Sequence, residues 1–279
     1  MLKSIFNFFV FSSLYIALCA VLMIWQVSHI FLGDAITVPF YAFVFFSTIC
    51  SYNFHWYLTV HSATGSERLQ WAVRNKSVHL ILYLIGLAGS AYYLFLLRQH
   101  WYWILLGAFV TFLYSAPKIP HPLFSQLKRI AIGKTIFLAF VWTYVTSMLP
   151  LLISGERWLA SCTWFVCSRF FLIYAICILF DYRDREDDKS DGIRSMITYF
   201  NEKGINVLFG ISITAFVAFT LLLFYNGTPV WATVLLLVPG IIVTLLYPYA
   251  KRHFSDYLYY FVLDGLMMLS SLLMLVLGI

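Results

Sequence analysis

The sequence predicts an all-α, polytopic membrane protein with nine transmembrane helices, and three observations carry that prediction. Of its 279 residues, 62% are hydrophobic and 11% are charged, and the mean hydropathy is +0.86. The apolar residues come in long, nearly uncharged runs, and about 20 such residues cross the hydrocarbon layer as a helix. The basic residues gather in alternate connections between those runs, which is the topology signal of a multi-spanning chain. A β-barrel would instead show strands of roughly ten alternating residues. The whole chain, 1–279, reads as one integral-membrane domain.

The first apolar run, near 6–28, follows Lys3 and exceeds the roughly 7–15 residues of a signal-peptide core. It reads as a retained first span. The others fall near 37–58, 78–97, 100–116, 132–153, 158–180, 204–225, 229–248 and 256–278. The fourth is the shortest. With the N-terminus placed in the cytoplasm, Lys3, Arg68, Arg74, Lys76, Lys118, Lys128, Arg129, Lys134, Arg183, Arg185, Lys189, Arg194, Lys203, Lys251 and Arg252 all fall on the inner side. Arg98 and Arg157 fall outside, and Arg169 lies within a span. This asymmetry fixes the N-terminus inside and the C-terminus on the outer face.

The net charge of +6 is therefore a topology signal, and no soluble basic domain exists to hold a nucleic acid. Cys19, Cys50, Cys162, Cys167 and Cys177 all lie in apolar runs, without metal-ligand spacing or a disulfide framework. They read as packing residues. Aromatic residues reach 20%; those at span ends, such as Trp101, Tyr102 and Trp103, anchor at the interface, while Tyr174, Tyr247, Tyr259 and Tyr260 suit either an anchor or a cavity wall.

The stretch with most chemistry is 181–195, DYRDREDDKSDGIRS, directly behind the sixth span. If the helix continues past Phe180, Asp181, Asp184 and Asp188 fall at i, i+3 and i+7, on one face. Mg²⁺ takes oxygen ligands, commonly one or two carboxylates plus substrate phosphates. Such a stripe would hold a metal that in turn holds a diphosphate, with Arg194 and Lys203 near in sequence to meet its oxygens. The plainer reading is a solvated charged loop, neutralised in part by the i,i+4 pairs Arg183–Asp187 and Asp181–Arg185.

The pattern Asp181-x-x-Asp184-x-x-x-Asp188-x-x-x-Gly192-x-x-Ser195 resembles the second aspartate-rich motif of the UbiA-type membrane prenyltransferases. Tyr114-Ser115-Ala116-Pro117, followed by Leu127 and Lys128, is similar to that family's Tyr-Ser-x-Pro segment and its basic follow-on. The resemblance implies a nine-helix bundle with a cytoplasm-facing cavity. It also implies transfer of an isoprenyl group from an isoprenyl diphosphate to an acceptor of unknown identity, often an aromatic ring. Mg²⁺ would sit on Asp181, Asp184 and Asp188, the first two being catalytic, with Asn53, Lys128, Arg194 and Tyr114 binding substrate.

The family's first motif, Asn-Asp-x-x-Asp-x-x-x-Asp at the end of the second span, is matched here only at Asn53. Its aspartate positions hold Phe54, Tyr57 and His61. Lys128, Arg74 or Arg68 would then stand in for the lost metal. The alternative is a catalytically altered or inactive member that binds an isoprenoid lipid or a protein partner. His55 and His61 read as ligands or as interfacial residues. Asp264, inside the last span, calls for a partner, and Arg169 from the sixth span is the expected one. Gly265 beside it would allow close helix approach.

Overall fold

A computed structural model describes residues 2–33, 35–59, 66–115, 134–190 and 195–279, with only the backbone of Tyr114, Ser115, Lys134 and Ser190. The described residues are overwhelmingly helical. The helices are α1 (Leu2–Phe11), α2 (Leu14–Phe31), α3 (Val38–Leu58), α4 (Glu67–Arg74), α5 (Lys76–Leu96) and α6 (Trp101–Ser115). After these come α7 (Lys134–Thr143), a π-helical turn (Tyr144–Met148) and α8 (Leu149–Ile153), which together make one rod. The remainder are α9 (Ala160–Arg183), α10 (Arg185–Ser190), α11 (Met196–Tyr199), α12 (Glu202–Tyr225), α13 (Val230–Ala250), a second π-helical turn (Leu258–Leu263) and α14 (Asp264–Leu277).

Among the described residues, seven helices are long and apolar enough to cross a membrane, two of them Ala160–Arg183 and Glu202–Tyr225 at 24 residues each. At 1.5 Å per residue, 20 residues already cover the roughly 30 Å of hydrocarbon. The expected count of nine is not reached on length and composition. α3 has 21 residues but is diluted by Ser47, Thr48, Ser51, Asn53 and His55, and α6 has 15.

The first span also starts later than the hydropathy predicts. Ser13 adopts φ 70°, which breaks the run into α1 and α2. The carbonyl of Ser12, freed by the break, accepts a hydrogen bond from Asn53 Nδ2 at 3.1 Å. Polar caps set other ends: Asn201 Oδ1 accepts from Gly204 N–H at 2.8 Å at the head of α12, and Pro229 precedes α13. Gly155 and Gly227 supply the positive φ that their turns require.

α2 packs on α3, α12 on α13 and α13 on α14, and α14 packs back on α2 to close the bundle. α9 lies innermost, touching α7, α12, α13 and α14, and its stretch Leu172–Leu179 is buried throughout. The tightest pair is α3 with α5, where a Cβ on Gly86 would stand 2.6 Å from Cys50 N and 2.9 Å from Phe46 O. Close approach at Gly265 is also found: a Cβ there would meet the Tyr15 hydroxyl, which donates to Phe261 O at 2.8 Å.

The charged connections share one end. Lys3 reaches Glu67 at 3.5 Å, and the Tyr257 hydroxyl donates to Asn7 at 2.7 Å. Arg183 at the end of α9 donates to the Tyr260 hydroxyl at 3.0 Å. Glu202 gathers Arg185 at 3.3 Å, Lys251 at 2.6 Å and the Tyr182 hydroxyl at 2.9 Å, which clasps α9, α12 and α13 together.

Candidate active site

α9 continues past Phe180 as its sequence predicts, as far as Arg183. Asp184 ends it at φ −85°, ψ 2°, and the path resumes as α10, with Asp188 N–H donating to Asp184 O at 2.8 Å. The three aspartates therefore follow one helical track but do not share one environment. Asp181 is buried and accepts the hydroxyl of Thr135 from α7. Asp188 is buried as well. Asp184 is taken by its neighbour: Arg183 Nε donates to Oδ1 at 2.7 Å and Nη2 to Oδ2 at 3.3 Å.

The self-neutralising pairs expected from the sequence are replaced by others. Arg183 grips Asp184, and Arg185 crosses to Glu202 and to the carbonyl of Phe200 at 2.9 Å. Glu186 faces solvent, and its hydrogen bond from Lys189 holds its carboxyl below the usual range. Lys128, Arg194 and His61 lie outside the described residues, as does the side chain of Tyr114.

Asn53 is sealed within the bundle. Its Nδ2 donates to Ser12 O at 3.1 Å and to Ile49 O at 2.8 Å, so Oδ1 must be what faces His79 Nδ1 at 2.7 Å. The His79 proton thus sits on Nδ1, and Nε2 is left as a buried acceptor without a partner. Asn53 expected as a substrate contact is, as placed, a tie between α3, α5 and the α1–α2 break. Phe54 packs on Tyr83 with ring centroids 5.4 Å apart, and Tyr57 is exposed.

The expected Arg169–Asp264 pair is not formed. Arg169 Nη2 donates to Ser270 Oγ at 2.8 Å and Nη1 to Met267 O at 3.4 Å. It joins a buried set with Gln26, whose amide meets Ser270, Ser271 and Met274. Asp264 stands at the head of α14, nearer the charged end than Met267 and Ser270, and the cations that act on it are Arg183 and Arg68.

Arg68, one of the cations that the sequence offers in place of the lost metal, is the site's main feature, and its burial is what the sequence hides. The residue is 2% exposed, and its guanidinium lies 4.0 Å from the centroid of the Trp56 ring, with those of Phe11, Trp71 and Tyr260 within 6 Å. Burial pulls it below its ordinary value, to about 9, against the opposing influence of Asp256 and Asp264, so it stays charged at neutral pH. Asp256 accepts Arg68 N–H at 2.9 Å and the Ser66 hydroxyl at 3.0 Å, which caps α4. The pattern E-R-L-Q-W in a polar connection gives no hint of such depth. The one available signal is the density of nearby aromatics in α1, α3 and α4.

The donor set does not fit a magnesium centre as it stands. Among the described residues no three His, Cys, Asp or Glu side chains come together as a metal site. Both oxygens of Asp184 are held by Arg183, and the positions expected to carry further carboxylates hold Phe54 and Tyr57. Nor do the two cavities described sit at this end. One, of about 20 Å³, lies by Phe31, Glu156 and Arg157; the other, of about 200 Å³, is an open groove between α12 and α13.

The model of the UbiA prenyltransferase family matches residues 69–272. The match includes Asp181, Asp184 and Asp188 and begins beyond the Asn53 stretch. Neither a curated protein nor a solved structure matches the chain. With nearly three-quarters of its length matched, this integral membrane protein belongs to the UbiA prenyltransferase family.

Proposed function

We propose that the chain, as one domain of 1–279, moves an isoprenyl group from an isoprenyl diphosphate to an acceptor within the bilayer. The family match over 69–272 carries this reading. In such a transfer the allylic C–O bond breaks, diphosphate leaves with the electron pair, the acceptor bonds to the allylic carbon, and the acceptor gives up a proton. The physical need is to neutralise the departing diphosphate and to keep water from the cation. The cations of the charged end supply the first: Arg183, which stands beside Asp181, Asp184 and Asp188, with Lys128, Arg194 and Tyr114 as further substrate-binding residues. The aromatic walls of Trp56, Phe180, Tyr259 and Tyr260 supply the second.

Enzymes of the family typically use Mg²⁺ on aspartate-rich motifs, where the ion neutralises the diphosphate. Since the described carboxylates do not assemble such a centre, no step is assigned to it. The basic asymmetry places the charged end, with the N-terminus, in the cytoplasm. Purified protein in detergent, offered a series of isoprenyl diphosphates and an extract of membrane quinols and phenols, should form a prenylated product and release diphosphate. No product with any donor, in a preparation that binds those donors, would sink the reading.

A second reading is favoured by one observation, that no metal-ligand group forms among the described residues: a family member that binds an isoprenoid lipid or a partner without catalysis. Donor binding without turnover selects it.

A further inference from the structure

We infer that Arg68 and Arg183 form a phosphate-binding pair that holds the diphosphate head of the donor without a divalent metal. This rests on the isoprenyl-diphosphate reading above and deepens it.

Two guanidiniums flank one ring. Arg68 Cζ lies 5.9 Å and Arg183 Cζ 4.9 Å from the centroid of Tyr260. They arrive from different elements, Arg68 from α4 and Arg183 from the end of α9, and Tyr260 belongs to the π-helical turn that precedes α14. π-Helical turns recur at functional sites. Each guanidinium keeps its Nη1 sealed from solvent with no hydrogen-bond partner. Buried donors of this kind are rare, and each one asks for a missing water, ion or ligand.

The nearby carboxylates do not answer that need. Asp256 is committed to the backbone of Arg68 and the hydroxyl of Ser66, at the N-terminus of α4. Asp184 binds Arg183 through Nε and Nη2 and leaves Nη1 over. Asp264 faces both cations from the head of α14, but none of the described hydrogen bonds joins it to either. Among the described residues no carboxylate is in ion-pair contact with the Arg68 guanidinium, which rests on aromatic faces alone. A buried cation so placed lacks the oxygen partners that usually repay its desolvation.

The ligand that suits two such groups is a multiply charged oxyanion. A guanidinium fork matches phosphate oxygens bidentately and stays charged at any working pH. A diphosphate offers oxygens both to the Arg68 guanidinium and to the Nη1 that Arg183 has left over from Asp184. The partly exposed rings of Trp56, Phe180 and Tyr260 give its apolar tail a surface next to the head. Fixed positive charge then does at this place what a divalent ion does elsewhere, in keeping with the lack of a metal-ligand group among the described residues.

The test measures binding of farnesyl thiolodiphosphate, a non-reacting donor analogue, to the purified full chain in detergent. Inorganic diphosphate serves as the headgroup-only probe. Binding in EDTA should match that in magnesium within about twofold. Arg68→Met and Arg183→Met should each weaken it about tenfold or more, the loss of one charged hydrogen-bonding group. Arg68→Lys, which keeps the charge and loses the fork, should fall between. Melting curves in the absence of ligand show which variants fold, and Arg68→Lys carries the test if the methionine variants do not. Binding that appears only with magnesium, or survives both methionine variants in folded protein, overturns the arginine pair and leaves the prenyl-transfer reading standing. No binding in either buffer overturns both.

Discussion

Asp184→Asn separates two roles for one carboxylate. In the structure Asp184 is the partner of Arg183, with contacts of 2.7 and 3.3 Å. The Asp184 side chain is 39% exposed and that of Arg183 13%, so the pair is neither a surface bridge nor a buried one. Exposed pairs contribute about 0–1 kcal/mol and breaking buried ones costs about 3–5 kcal/mol. Arg183 retains the Tyr260 hydroxyl and its stacking on Tyr259 at 4.6 Å, which holds the loss toward the lower end. The amide variant should therefore cost about 1–2 kcal/mol, or about 2–6 °C in the melting midpoint. The assay is thermal unfolding in detergent, in EDTA and in magnesium. The expected drop is the same in both buffers, because the lost partner is an arginine. A variant that melts like the parent in EDTA but loses a magnesium-dependent stabilisation would refute this reasoning and make Asp184 a metal ligand.

Asn53→Leu strands the Ser12 carbonyl and the His79 Nδ1–H in the interior, and at about 1–3 kcal/mol for each stranded group the variant should lose about 2–4 kcal/mol. Unchanged melting with lost donor binding would return Asn53 to the role of substrate contact. Gly86→Ala puts a methyl 2.6 Å from Cys50 N and 2.8 Å from its Cα, backbone atoms that cannot swing aside, so α3 and α5 must separate at a cost of about 1–3 kcal/mol. Parental melting would mean that the two helices do not pack this closely. Arg169→Met gives up bonds to Ser270 and Met267 O but removes a buried charge that has no carboxylate partner among the described residues, so its stability should stay within about 2 kcal/mol of the parent. A larger loss, read as a collapse of the melting midpoint, would show that the charge is neutralised in the folded protein. Cysteines placed at Ser4 and Gly278 should react with an impermeant maleimide from opposite sides of the membrane, since α14 starts at the charged end and runs away from it. Labelling from one side would break the proposed topology.

The helices were readable because hydropathy is a property of segments. The run expected over 158–180 is Ala160–Arg183, and the one over 229–248 is Val230–Ala250, with Pro239 and Pro248 inside it. The errors have local causes. Ser13 breaks the first run because its left-handed backbone frees the Ser12 carbonyl for Asn53, and the Asn53 bond that rewards the break comes from 40 residues further along. α3, at 21 residues, is less apolar than the other long helices because it carries polar groups, among them Asn53, which ties it to α5 and to the α1–α2 break.

The site was less legible, because the same spacing that puts three aspartates on one track says nothing about who waits beside them. The i,i+4 rule offers Arg183 to Asp187, but the turn at Asp184 lets Arg183 close on its immediate neighbour. Arg68 is the harder case. A basic residue in a short polar connection is ordinarily a surface residue, and here three separate elements bring Phe11, Trp56 and Tyr260 around it. What removes the charge from water is tertiary, and it is also what gives the charge its use. A guanidinium left in solvent would be screened, while one held on ring faces presents its full charge to whatever anion enters. A motif search for carboxylates at the end of α3 therefore reports only a loss, whereas the bundle has moved the positive charge to a different element of the same end.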